Sequence, residues 1–282
     1  MDCCAELYQG LKSLSGKVPY FQKKITAKQI QSCGCSTITN QLISIMKTIV
    51  HKANTRGHAN HGWLDSYHTF SFAGYYNPER IHFGALRVLN DDTVAGGMGF
   101  GKHPHENMEI VSIPLSGDLE HADSMGNVAV IRQNDVQIMS AGTGVFHSEK
   151  NHSDEKPVKF LQIWVFPKQN NIEPRYEQKT FLPEDRENKL LEVISPVKNE
   201  NTLWINQDAW FNLGNFKKDF SANYKLHSDK NGAYLFVLEG GVALNGDVLG
   251  KRDGVGISGT NSFDIKASSN AQFLLMEVPM LE

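Results

Sequence analysis

The stretch from Gly99 to Gly117, GFGKHPHENMEIVSIPLSG, decides how the rest of the chain is read. Its second half, Glu109 to Leu115, is a short apolar run rich in β-branched residues and closed by Gly117, which reads as a strand. On a strand, residues i and i+2 share a face. His103 and His105 therefore project together, and Glu109 keeps the same parity if the strand stays regular. Two imidazoles so placed form a natural chelate. Pro104 between them lacks an N–H and belongs at an edge, a strand start or a bulge, which puts the pair near a rim rather than mid-sheet.

A second stretch, Ser140 to Glu149, reads SAGTGVFHSE and repeats the spacing with His147 and Glu149. Gly142 and Gly144 supply a tight turn that feeds a new strand. Three imidazoles and a carboxylate, with no thiolate, suit iron, copper, nickel, manganese, cobalt or zinc. Four protein ligands on an ion that prefers six leave two positions open, and open positions mark a reactive rather than a structural site. HxHxxxE followed by a Gly-rich turn and a further histidine is the pattern of the cupin barrel. Spacing alone leaves the fourth ligand open between Glu109 and Glu149.

Working outward, further short apolar segments are Phe83 to Leu89, Val136 to Met139, Phe160 to Phe166, Tyr234 to Leu238 and Phe273 to Val278, each bounded by Gly, Pro, Asn or Asp. Asp118 to Asn127 and Val242 to Gly246 carry hairpin-turn chemistry, and Asn245-Gly246 predicts a type I′ turn. Many short strands with scattered turns indicate an all-β chain of barrels or sandwiches. A faint repeat, in which LQIWVFP ending at Pro167 matches FLLMEVP ending at Pro279, predicts two copies of one jelly-roll-type barrel packed face to face, with a few short helices. The domains read as residues 46–177 and 178–282, after an extension of residues 1–45 expected to be poorly ordered. His103 and His105 correspond to Leu226 and Ser228 in the second copy, so metal chemistry belongs to the first.

The chain has 282 residues with 28 Lys+Arg against 31 Asp+Glu, a net charge of -3 that gives no excess positive field for nucleic acid. No apolar run approaches the ~18 residues of a membrane span. The 4 cysteines, Cys3, Cys4, Cys33 and Cys35, all lie in the extension. They read as unpaired thiols of a reducing, cytoplasmic compartment rather than as a zinc site, because adjacent cysteines present both sulfurs to one ion poorly.

KANTRGHANHGWLDSYHTFSFAGYYNP, GFGKHPHENMEIVS, QIMSAGTGVFHSE and QIWVFP together resemble the pirin family of bicupins, in particular its bacterial members with quercetin 2,3-dioxygenase activity. The resemblance starts near Met46 and is strongest to residue 177. It implies that His103, His105, His147 and Glu149 are the metal ligands, and that Glu109 is a supporting or structural residue. It further implies one divalent transition metal, Fe(II) first, with Cu, Ni, Mn, Co or Zn as alternatives. A flavonol and O2 are the implied substrates, Glu149 the base that takes the flavonol's proton, and a monomer the implied state. The alternative it carries is a non-catalytic, redox-sensing regulatory module of pirin type. His58 and His61 are read as turn and packing residues, and Trp63, His68, Phe70 and Phe72 as the buried face of an entry strand.

Overall fold

The computed structural model describes residues 46–281, so the extension and its four cysteines lie outside the described residues. The described chain is built almost wholly of strands, with two short 3-10 turns at Ala53–Thr55 and Pro183–Arg186. None of its helices is long and apolar enough to cross a membrane.

The strands form two seven-stranded and two four-stranded sheets. In the first barrel the larger sheet runs Arg175–Thr180, Asp135–Ser140, Glu109–Ser116, Val158–Val165, Leu86–Val94, Leu64–His68, Gly57–Asn60. Its smaller sheet runs Gly99–His105, Val145–Asn151, Leu119–Asp123, Val128–Ile131. The second barrel repeats the plan, its smaller sheet running Ser221–Lys225, Ser262–Ala267, Val242–Leu244, Asp247–Leu249. The two barrels exchange edge strands. Lys47–His51, first in the chain, pairs with Gly254–Ser258 in the second barrel, while Arg175–Thr180 pairs with Asp135–Ser140 in the first. A boundary between residues 177 and 178 therefore falls inside a strand of the first barrel.

Why the central strands read as unbroken apolar runs is now plain: both faces are buried. Tyr234, Phe236 and Leu238 point into a core shared with Leu86, Val111, Ile163 and Val165 of the first barrel. Ala233, Leu235 and Val237, one residue out of phase, point into the interior of the second barrel. The two seven-stranded sheets thus face each other across the largest apolar cluster among the described residues. Each fully buried Leu, Ile or Phe there contributes ~1.5–3 kcal/mol. The Asn245-Gly246 turn has φ of 49° and 87° at its two central residues and joins Leu244 to its partner Asp247, as the type I′ reading requires.

Candidate metal centre

The smaller sheet of the first barrel assembles the donors by register. Gly99–His105 is its edge strand, which is where Pro104 is tolerated. His103 pairs across the sheet with His147, and His147 pairs on its other side with Asp123. Glu149 pairs with His121. A register shift between His147 and Glu149 interrupts the pairing against the edge strand.

Among the described residues two donor groups are compact enough to hold a cation. The ligand atoms of His103, His105 and His147 lie within 4.8 Å of one another, and so do those of His121, His147 and Glu149. His147 belongs to both groups. The four residues singled out in the sequence therefore all reach one region, with Glu149 joined to the imidazole triad through His147.

The chemistry of these donors fits a divalent cation. His103 Nδ1 donates to the Gly101 carbonyl at 2.8 Å, which fixes the ring and leaves Nε2 available. His147 is buried, and neither of its ring nitrogens makes a hydrogen bond within the protein. Burial first, then the neighbouring His103 and His105, holds the His147 pKa down to about 2; burial and His103 hold His105 down to about 4. Both rings are thus neutral at pH 7 with free lone pairs, the form a metal takes. An unpaired buried nitrogen costs ~1–3 kcal/mol, which a bound cation repays.

Glu149 is also fully enclosed. Its carboxylate accepts from Ser112 Oγ at 3.0 Å and from Gln162 Nε2 at 2.6 Å. Burial pushes its pKa up, opposed by His121, the Ser112 bond, His103 and Gln162. These two donors come from a polar row that crosses the larger sheet, in which His68, Asn90, Gln162, Ser112 and Gln137 are successive cross-strand partners.

Glu109 does not keep the parity expected of it. Residues 106–108 interrupt the strand, with Asn107 at φ 47°, and Glu109 opens a strand of the other sheet. Its carboxylate accepts from Ser140 Oγ at 2.8 Å and from the Asn206 backbone N–H at 3.1 Å, tying the first barrel to the loop before Trp210–Phe216. It is a structural anchor.

The centre opens into a cavity of about 610 Å³, lined by His103, His105, Glu149, Gln162 and Trp164 together with Leu64, Phe72, Tyr75 and Phe100. That is ample for a drug-sized aromatic molecule. His58 and His61 take the turn and packing places expected of them and also border this cavity: the His61 N–H donates to the Leu64 carbonyl at 2.9 Å, and His58 stacks on Tyr67 at 4.4 Å while bonding Asp65 at 2.6 Å. One reading of the sequence needs correction here. The inward face of the entry strand Leu64–His68 is Leu64, Ser66 and His68; Trp63 precedes it, half-buried against Phe100, and Phe70 and Phe72 follow it.

Sequence reasoning missed His121 and Asp92. His121 is 1% exposed, its Nε2 3.1 Å from Asp123 Oδ2 and its Nδ1 without a partner. The H-x-D spacing of His121 and Asp123 repeats that of the two ligand pairs and was the available signal. Asp92 lines the cavity at 3% exposure, and burial, reinforced by Asp91 and Glu149 and opposed by a hydrogen bond from Ser66, raises its pKa to about 7.

Fold and site together define a bicupin with one metal-suited barrel and one filled barrel. Residues 49–165 match the Pirin family model and residues 192–278 the quercetinase C-terminal cupin domain. The chain belongs to the pirin family. It is 43% identical over 230 residues to a quercetin 2,3-dioxygenase of Escherichia coli (strain K12), covering 82% of this chain and 98% of that one. A pirin-like protein of Caulobacter vibrioides is 38% identical over 222 residues, covering 78% and 95%. The crystal structure of the bacterial pirin YhhW from Escherichia coli in complex with nickel(II) superposes with a TM-score of 0.79 at 41% identity, covering 83% of this chain and all 100% of that one.

Proposed function

We propose that the protein is a metal-dependent dioxygenase that opens the heterocyclic ring of flavonols, with His103, His105, His147 and Glu149 as the ligands. The observation that carries this reading is a cluster of three imidazoles, two of which, His103 and His105, line a largely apolar cavity together with Glu149. Fe(II) is the proposed native ion, because histidine and carboxylate donors with open positions are the set used by non-haem iron oxygenases. When bound, the metal supplies Lewis acidity for the flavonol's 3-oxygen and a site for O2.

The chain's own residues supply the rest. Glu149 takes the 3-hydroxyl proton, and Ser112 and Gln162 hold the carboxylate in place meanwhile. Phe72, Tyr75, Phe100 and Trp164 offer flat apolar surface to the rings and exclude water. Carbon monoxide and a depside leave. Aerobic incubation of the metal-loaded protein with quercetin tests the proposal: flavonol absorbance falls with at least one of iron, copper, nickel, manganese or cobalt, and His105→Ala loses both metal and turnover. Persistence of the absorbance with all five metals sinks it. The homologue with the quercetin 2,3-dioxygenase name supports the choice of substrate.

A further inference from the structure

The cavity has a second chemical feature besides its imidazoles. Asn90 and Asp92 stand two residues apart on Leu86–Val94, and both are buried yet line the cavity. On the adjacent strand His68 is the cross-strand partner of Asn90, and Ser66 of Asp92, and these two also line it. Ser66 Oγ donates to Asp92 Oδ1. Asp92 Oδ2 has no hydrogen-bond partner among the described residues, and the side chains of Asn90 and His68 make no hydrogen bond at all. Buried polar groups are almost always paired, so the unpaired Asn90 Oδ1 and His68 Nδ1, beside a carboxylate with one free oxygen, call for a ligand that pairs them.

We propose that Asp92, Asn90 and His68 form a hydroxyl-reading subsite, which holds a polyhydroxylated aromatic ring of the substrate while another oxygen of the same molecule meets the histidine cluster. This rests on the reading of the cavity as the substrate site. Above about pH 7, where Asp92 is ionised, the three side chains offer a carboxylate oxygen that only accepts, an amide that does both, and an imidazole with one donor and one acceptor. Vicinal phenolic hydroxyls, as in a catechol, present two adjacent donors to the first two. The ring itself meets Phe72, whose centroid lies 5.3 Å from His68 and 5.4 Å from Trp164, so aromatic and polar recognition fall on one wall. A ring without hydroxyls desolvates Asp92 and returns nothing. Selection against such analogues by a site built to hydrogen-bond is much stronger than apolar contact achieves.

Equilibrium binding to the zinc-loaded protein under nitrogen at pH 8, where Asp92 is ionised, tests this without turnover. The probes are quercetin and 3-hydroxyflavone, which keeps the chelating oxygens and lacks the other hydroxyls. Wild type binds quercetin at least about tenfold more tightly, equivalent to ~1.4 kcal/mol. Asp92→Asn shrinks that preference to within about twofold, the scale left once a charge-assisted hydrogen bond is lost. Asn90→Ala, which leaves the Ser66–Asp92 pair in place, narrows it in the same direction. Equal affinities in wild type, or full preference retained in both variants, overturn the subsite. The dioxygenase reading fails separately: a protein that discriminates in binding but consumes neither flavonol in air when metal-loaded keeps the subsite and loses the reaction. One that consumes both with equal efficiency does the reverse.

Discussion

Replacing Asp92 by Asn removes a buried ionisable group while keeping its shape, so its effect on stability is fixed by protonation. The pKa of Asp92 stands at about 7 in the folded chain against 3.8 for a free aspartate, chiefly because burial disfavours the charged form. Below about pH 4 the carboxyl is protonated folded or unfolded, and the substitution gains little. Between that pH and about 7 the unfolded chain gives up the proton and the folded chain keeps it, so folding takes up a proton and wild-type stability falls as pH rises. Above about 7 the buried charge is present and its full cost is felt. Roughly three pKa units at about 1.4 kcal/mol each bound that cost at ~4 kcal/mol, and 2–4 kcal/mol is the expected range. Ser66 can donate to the amide oxygen of Asn as it does to Asp92 Oδ1, so that bond is kept. Urea unfolding of chelator-treated wild type and Asp92→Asn at pH 4, 6 and 8 measures it. The variant's advantage grows from near zero at pH 4 to its maximum at pH 8. A difference independent of pH, or one largest at pH 4, refutes the reasoning.

Other positions test other parts of the structure. Glu109→Ala leaves the buried Ser140 hydroxyl and Asn206 N–H short of an acceptor; we expect ~2–4 kcal/mol of destabilisation in thermal melts, with metal stoichiometry unchanged. A ligand role for Glu109 is refuted by that same stoichiometry. Gln162→Leu frees one Glu149 oxygen, and competition with a chromophoric chelator is expected to show metal affinity weakened roughly 10–100-fold. Gly246→Ala meets no atom within 4 Å but must hold φ 87°; urea midpoints are expected to register ~1–2 kcal/mol of loss from backbone strain alone.

Which parts were legible in the sequence follows from how far apart the determining residues lie. His103 and His105, and likewise His147 and Glu149, sit at the i, i+2 spacing that defines one strand face, so each pair was readable locally. The parity argument failed at Glu109 because Asn107 adopts a left-handed conformation, a property of one residue that no alternation pattern encodes. His121 reaches the site only through its pairing with Glu149, twenty-eight residues on in the chain by their numbers, and register is a tertiary fact. The strand at Phe83 to Leu89 was read as ending where Asn90-Asp91-Asp92-Thr93 begins, since a polar run marks a loop. It continues to Val94 because Asn90 and Asp92 face a cavity rather than a packed core. The exchange of Lys47–His51 into the second barrel is likewise invisible without the pairing partners.

The contrast between the barrels explains how one fold serves two ends. In the second, Leu226, Leu235, Leu244 and Phe273 fill the interior, and Leu226 is the residue that the sequence repeat sets against His103. Its buried acid, Glu277, is saturated: Tyr224 Oη, the His227 backbone N–H and Asn231 Nδ2 donate to it at 2.8, 2.8 and 2.6 Å, and His227 Nδ1 lies 2.8 Å away. Nothing there asks for a ligand. The first barrel is built the opposite way, with both His147 nitrogens, His121 Nδ1, Asn90 Oδ1 and His68 Nδ1 buried and unpaired. Each of these atoms costs ~1–3 kcal/mol until a metal, a water or a substrate pairs it, so the open site lowers the stability of its barrel. Docked through its larger sheet onto the saturated barrel, across the core that Phe211, Tyr234, Phe236 and Met276 share with Leu86, Val111 and Ile163, it can keep its reactive groups open. On this argument the second barrel acts on the site through stability, and a core truncation there such as Phe236→Ala lowers the unfolding midpoint while the metal affinity of the protein that remains folded stays at the wild-type value.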